Sequence, residues 1–208
     1  MKDRSEKLRR IANFLIVHTC FFNNIGLYHG KMGIAIFMAH YARFVDNTLY
    51  EDFCGILLDE IYKEINNWNS IDFENGILGI AWGIDYLLQN QFVLGDSFDI
   101  LKEIDEKISE YNWSKVKNNS LENGVAGVFC YLHQHLNQRI VNVTNPFFDQ
   151  AFVDELNRKC TIQMENINNF TLLSIIRNSD FEISSDISKW RLGLNRGCAG
   201  YGLKLIFE

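Results

Sequence analysis

Four dipeptides stand directly ahead of a glycine in this 208-residue chain, and they carry the side chains best suited to chemistry. They are Tyr28-His29 before Gly30, Glu74-Asn75 before Gly76, Glu122-Asn123 before Gly124, and Asn195-Arg196 before Gly197. A histidine, two carboxylates and an arginine facing one cavity could move protons or hold a polar ligand. His29 is the candidate base and Glu74 or Glu122 the candidate acid, while Tyr28, Asn75, Asn123, Asn195 and Arg196 are candidate ligand contacts. Glu74 and Glu122 also suit a purely structural role, because the positive end of a helix attracts negative charge.

Each dipeptide opens onto two glycines three residues apart: Gly30 and Gly33, Gly76 and Gly79, Gly124 and Gly127, Gly197 and Gly200. These pairs use eight of the chain's 14 glycines, which points to a repeated unit. The first three pairs recur at intervals of roughly 47 residues, a length typical of stacked two-helix units, and the last is displaced by about 26 more. A glycine inside a helix costs about 1 kcal/mol against alanine, so such pairs belong at the first turn. There the missing side chains let a neighbouring segment approach the backbone. Asn75 and Asn123, one residue ahead, are predicted to cap these helices through their side-chain oxygens.

The segments between the pairs alternate in character. Asp3 to about Cys20 is amphipathic, with Leu8, Ile11, Phe14 and Leu15 at helical spacing. Lys31 to Val45 is apolar on nearly all sides. Tyr50, Phe53, Cys54, Leu57, Leu58, Ile61 and Ile65 mark a second amphipathic helix, covered by Glu51, Asp52, Asp59, Glu60, Lys63 and Glu64. Gly76 to Leu88 is again apolar. Phe98, Leu101, Ile104, Ile108 and Tyr111 mark a third amphipathic helix, and Gly124 to Leu136 follows as another apolar one. Asn145-Pro146 is read as starting a helix that runs toward Asn166, Asn169 to Lys189 is mixed, and Gly197 to Phe207 is the last apolar helix.

Helices apolar all round need a sheath of amphipathic ones. The predicted fold is therefore all-α: an α/α barrel or toroid of about four helical hairpins, with apolar helices inside. We read residues 1–208 as a single domain with an insertion at about 140–192. If the inner helices run the same way, their N-termini gather at one end and the four dipeptides line a shared mouth.

The composition, 47% hydrophobic and 22% charged, is that of a globular protein, and a net charge of −6 argues against a nucleic-acid surface and a polybasic membrane contact. The five cysteines at 20, 54, 130, 160 and 198 show no Cys-x-x-Cys spacing, so reduced thiols in a cytoplasmic protein are expected. Cys130 and His133 share a helix face but His135 diverges from them, and two ligands do not make a zinc site. No metal and no other cofactor is expected.

The spaced Gly-x-x-Gly helix starts, with Gly26-Leu-Tyr-His-Gly-Lys-Met-Gly33 first, resemble the lanthionine synthetase C-like family. The resemblance implies an α/α toroid whose inner helices begin at such glycines. It also implies that catalytic members add cysteine thiols across dehydroamino acids of a precursor peptide, with zinc holding the thiolate. Gly26 to Gly30 looks like the family's Gly-Leu-x-His-Gly motif, which makes His29 the counterpart of its proposed acid/base histidine. In the family a zinc-binding Cys lies two residues before one motif glycine, and a Cys-His pair immediately precedes another. This sequence has Glu74-Asn75, Glu122-Asn123 and Asn195-Arg196 there, and Cys198 lies one residue past its glycine. The expected function is thus a family member without the zinc site or cyclase activity, a binding or accessory component in modifying a ribosomally made peptide. Two other readings are a zinc-independent acid/base enzyme and a structural protein-interaction module. The chain is short for the family, so an open arc with exposed apolar edges would favour a homodimer or a partner protein besides a peptide.

Overall fold

The computed structural model describes residues 2–67, 70–136, 146–159, 170–177, 186 and 189–208. Among them it is all-helical, with nine α-helices, one short 3-10 turn and no strand. None of these helices is long and apolar enough to cross a membrane. The chain divides into two compact units, Met1–Trp68 with Thr171–Glu208, and Asn69–Phe170.

The first unit contains α1 (Lys2–Thr19), α2 (Lys31–Val45), α3 (Thr48–Ile65), α8 (Leu172–Ile176) and α9 (Cys198–Phe207). Helix α2 is buried over most of its length, including Met32, Ile34, Ile36, Phe37 and Met38. It lies against α3 on one side and α9 on another. The approach of α9 is close because Gly202 faces the Phe37 ring, where a Cβ would sit under 3.0 Å from the ring carbons. Helix α3 buries Cys54, Leu57, Ile61 and Ile65 at the spacing of one helical stripe and turns Glu51, Asp52, Asp59, Lys63 and Glu64 to water. Asn47 caps it, its side chain accepting the Leu49 N–H at 3.0 Å.

Helix α1 buries Leu8, Ile11, Ala12 and Leu15 completely, each of the larger ones contributing roughly 1.5–3 kcal/mol. Its Arg4 donates to the Ile206 carbonyl at 2.9 Å and lies over the Phe44 ring, so the first and last helices are tied together.

The second unit contains α4 (Ile77–Gln89), α5 (Ser97–Glu110), the 3-10 turn Trp113–Lys115, α6 (Val125–Leu136) and α7 (Gln150–Lys159). Helices α4 and α6 pack on one another and are buried nearly all round, while α5 lies against α4 through Leu101, Ile104 and Ile108. Asp96 caps α5, accepting from the N–H groups of Phe98 and Asp99. Helix α7 starts four residues after Pro146 rather than at Asn145-Pro146. The Asp149 carboxylate supplies the start by accepting the Phe152 N–H at 2.8 Å, a cap that the preceding bend cannot offer. Lys159 at its other end donates to the carbonyls of Trp113 and Ser114. The expected continuation toward Asn166, and most of the expected insertion at 140–192, lie outside the described residues.

Candidate functional site

Each buried inner helix begins with the same closure. The N–H after the first motif glycine donates to the carbonyl seven residues earlier: Lys31 to Asn24 at 2.8 Å, Ile77 to Ser70 at 2.8 Å, Val125 to Asn118 at 3.1 Å and Cys198 to Arg191 at 2.7 Å. The loop so formed presses its own backbone against the glycine. A Cβ on Gly30, Gly76, Gly124 or Gly197 would fall under 3.0 Å from backbone atoms of Gly26, Asp72, Asn118 or Gly193 respectively. The second glycine meets the same loop, so a Cβ on Gly33, Gly127 or Gly200 would run into the carbonyls of Leu27, Leu121 or Leu194. The paired glycines therefore exist to let a short loop lie on the first helical turn.

The cap prediction for Asn75 needs correction. The capping residue of α4 is Gly76, in an extended conformation with no side-chain cap, and Gly30 and Gly197 cap α2 and α9 in the same way. With the chain folded back on itself, the loop carbonyl replaces a side-chain acceptor. The side chains that do accept lie further back. Asp72 takes the N–H groups of Asn75 at 2.7 Å and Gly76 at 3.1 Å, and the Ser120 hydroxyl takes that of Asn123 at 3.2 Å.

The loops meet in pairs within each unit. In the first, the Asn195 N–H donates to the Tyr28 carbonyl at 3.0 Å, and Gly193 lies against Tyr28 and His29 so closely that a Cβ there would overlap their backbone. This brings Tyr28 and His29 beside Asn195 and Arg196. Tyr28 is buried, His29 is half-buried with its ring edge-on to Tyr28, and Arg196 is exposed at a positive φ of 52°. In the second unit, the N–H groups of Phe73 and Glu74 both donate to the Glu122 carbonyl, at 2.9 and 3.0 Å. Glu74 and Asn75 thus lie beside Glu122 and Asn123. Both pairings run through main chain.

Cys198 occupies the first turn of α9 and is fully buried, its thiol donating to the Leu192 carbonyl at 3.7 Å. Burial pushes its pKa far up, so it stays a neutral thiol. Cys130 is likewise buried, on α6. Among the described residues no three His, Cys, Asp or Glu side chains gather as a metal-binding group.

Sequence reasoning missed a second polar centre, at the far ends of α4 and α6. His135 is buried between two carboxylates, its Nε2 3.1 Å from Asp105 Oδ2 and its Nδ1 3.4 Å from Asp85 Oδ1. Tyr131 donates to Asp105 at 2.5 Å, Ser97 donates to Asp85 at 2.8 Å, and the Gln89 amide donates to the other oxygen of Asp85. Burial alone would lower the His135 pKa, but the bonds and charges of Asp105 and Asp85 outweigh it and push it up to about 9. The imidazole is therefore protonated at neutral pH, stacked on Tyr131 and tilted against Phe98. Two signals were available. Asp85 interrupts an otherwise apolar helix, and Asp105 falls on the buried stripe of α5 between Leu101 and Ile108.

A family model for lanthionine synthetase C-like proteins matches residues 22–133, which include the starts of α2, α4 and α6. No curated protein matches by sequence. Among solved structures, that of a nisin cyclase aligns with all of this chain at a TM-score of 0.54 and 13% identity. The chain spans 57% of that protein's length, and at this identity the likeness establishes the fold, of the α/α toroid type. With the model covering more than half of its residues, the chain belongs to the lanthionine synthetase C-like family.

Proposed function

We propose that this chain is a peptide-binding or accessory component in the modification of a ribosomally made peptide, acting without zinc-dependent cyclisation. Family membership supports the setting, and the donor set supports the absence of zinc chemistry. At the places where the motif resemblance would put zinc ligands stand Glu74-Asn75, Glu122-Asn123 and Asn195-Arg196, none of them a thiolate donor, and Cys198 is a buried neutral thiol facing a carbonyl. That replacement carries the proposal.

In this reading each unit presents its own Gly-x-x-Gly loops for recognition: Tyr28, His29, Asn195 and Arg196 in one, and Glu74, Asn75, Glu122 and Asn123 in the other. The protein acts in the cytoplasm, where its cysteines stay reduced, and exposed apolar side chains such as Leu49 and Ile56 on α3 suit a second copy or a partner protein. The test is a fluorescence titration of the protein with precursor peptides, run beside metal analysis. Saturable binding that weakens several-fold in His29→Ala, with no stoichiometric zinc, is expected. Stoichiometric zinc, or no binding by either protein, refutes the proposal.

A further inference from the structure

We infer that Asp85, Asp105 and His135 form a latch that holds α5 against α4 and α6, and that α5 loosens from both helices, with Gly95 as the flexible joint, when the imidazolium loses its proton. Three features of the second unit point to this.

The first is where α5 is attached. The loop from Asn90 to Asp96 is largely exposed, with Leu94 at 94% exposure, so apolar packing does little to fix it. Two of its residues, Gln91 at φ 56° and Gly95 at φ 151°, have left-handed backbone, and Gly95 directly precedes the cap of α5. At 151° an L side chain is strained, so glycine is suited to a pivot there.

The second is what lies under the helix start. A cavity of about 200 Å³ opens there, lined by Leu88, Gln89, Gly95, Ser97, Phe98 and His135. The start of α5 is therefore not sealed by close-packed carbon as its later turns are by Leu101, Ile104 and Ile108. Polar bonds tie the helix down at two levels: Ser97 in its first turn to Asp85 on α4 at 2.8 Å, and Asp105, between Ile104 and Ile108, to His135 and Tyr131 on α6 at 3.1 and 2.5 Å.

The third is the charge balance. Facing His135 are Asp85 from α4 and Asp105 and the Ser97 hydroxyl from α5, with Tyr131 from its own helix. Asp96 accepts from the α5 amides, and His133, two positions back on α6, lies on a diverging side of the helix. One imidazolium thus serves two buried carboxylates on different helices. Without its proton the ring has one N–H for both, and the carboxylate left opposite a lone pair is buried with a partner lost. Asp85 on α4 and Asp105 on α5 then share a buried site with no cation between them, and α5, joined through Gly95, is the helix whose attachment can give way.

The test is amide hydrogen exchange on the intact protein, corrected for the intrinsic effect of pH. The α5 amides should lose at least about tenfold in protection between about pH 7.5 and pH 9.5, while those of α2 and α3 keep theirs. His135→Gln should show the loss already at the lower pH and little further change. Asp105→Asn, which leaves the imidazolium one carboxylate, should move the wild-type transition to lower pH. Protection of α5 that tracks α2 and α3 across the range overturns the latch, and that measurement needs no variant. So does an Asp105→Asn transition at the wild-type pH.

Discussion

Alanine at Gly76 and at Gly55 is the same substitution with opposite expected signs. Gly76 has φ −99° and ψ −169°, a conformation open to any residue, so backbone strain is not the issue. A Cβ there would lie under 3.0 Å from the Asp72 nitrogen and oxygen and the Ser70 oxygen, all main-chain atoms. The loop must move, and with it the bond from Ile77 to Ser70 and the two bonds that Asp72 accepts. Overpacking of this kind costs about 1–3 kcal/mol, and alanine is a poorer cap than glycine by about another 1 kcal/mol, so Gly76→Ala should destabilise by about 2–4 kcal/mol. Gly55 is exposed in the middle of α3, and a Cβ there meets nothing within 4 Å. Gly55→Ala should stabilise by about 0.5–1 kcal/mol through helix propensity and a less flexible unfolded chain. Urea unfolding followed by circular dichroism and tryptophan emission would separate the two, since Trp82 is buried on α4. If Gly76→Ala falls within about 0.5 kcal/mol of Gly55→Ala, the steric account of the motif glycines is wrong.

The His135 latch also predicts an equilibrium effect. A pKa raised from 6.5 to about 9 gives stability that is fully present below pH 6.5 and lost as pH rises through about 9. The shift corresponds to roughly 3 kcal/mol, read as a falling urea midpoint in wild type and a flatter profile in His135→Gln. Tyr131→Phe leaves Asp105 short of a buried donor and should cost about 1.5–3 kcal/mol in the same assay. Thiol labelling of the native protein near pH 8 should modify exposed Cys20 well before Cys54, whose pKa burial pushes up to about 12, or Cys198. Peptide mapping that finds Cys54 labelled as fast as Cys20 would contradict the burial of α3's inner face.

The helices were legible because their periodicities are strong. The apolar span Lys31 to Val45 coincides with α2, and the starts of α4, α6 and α9 fall one residue past the motif glycines. The glycine pairs correctly signalled close backbone approach. Their partner could not be read, because the seven-residue closure is main-chain to main-chain and leaves only a faint trace in side-chain identity. Asn24 and Asn118 are part of that trace, each accepting an N–H two residues on. The same blindness produced the mistaken cap at Asn75. Of the candidate site, the structure pairs 28 and 29 with 195 and 196, and 74 and 75 with 122 and 123, each within its own unit. The Asp85, Asp105 and His135 centre went unread because its members are spread over three helices. Only the odd charge on an apolar stripe hints at it.

The main-chain fastening of the motif loops has a further consequence. Tyr28 and Glu122 contribute carbonyls to the joints, and Phe73, Glu74 and Asn195 contribute N–H groups, so a new side chain at Glu74, Glu122 or Asn195 leaves those main-chain bonds chemically intact. Buried Tyr28 is a core residue as well and has no such latitude. Swapping cysteine or histidine into those three places is therefore a direct route to asking what else this frame can be made to do.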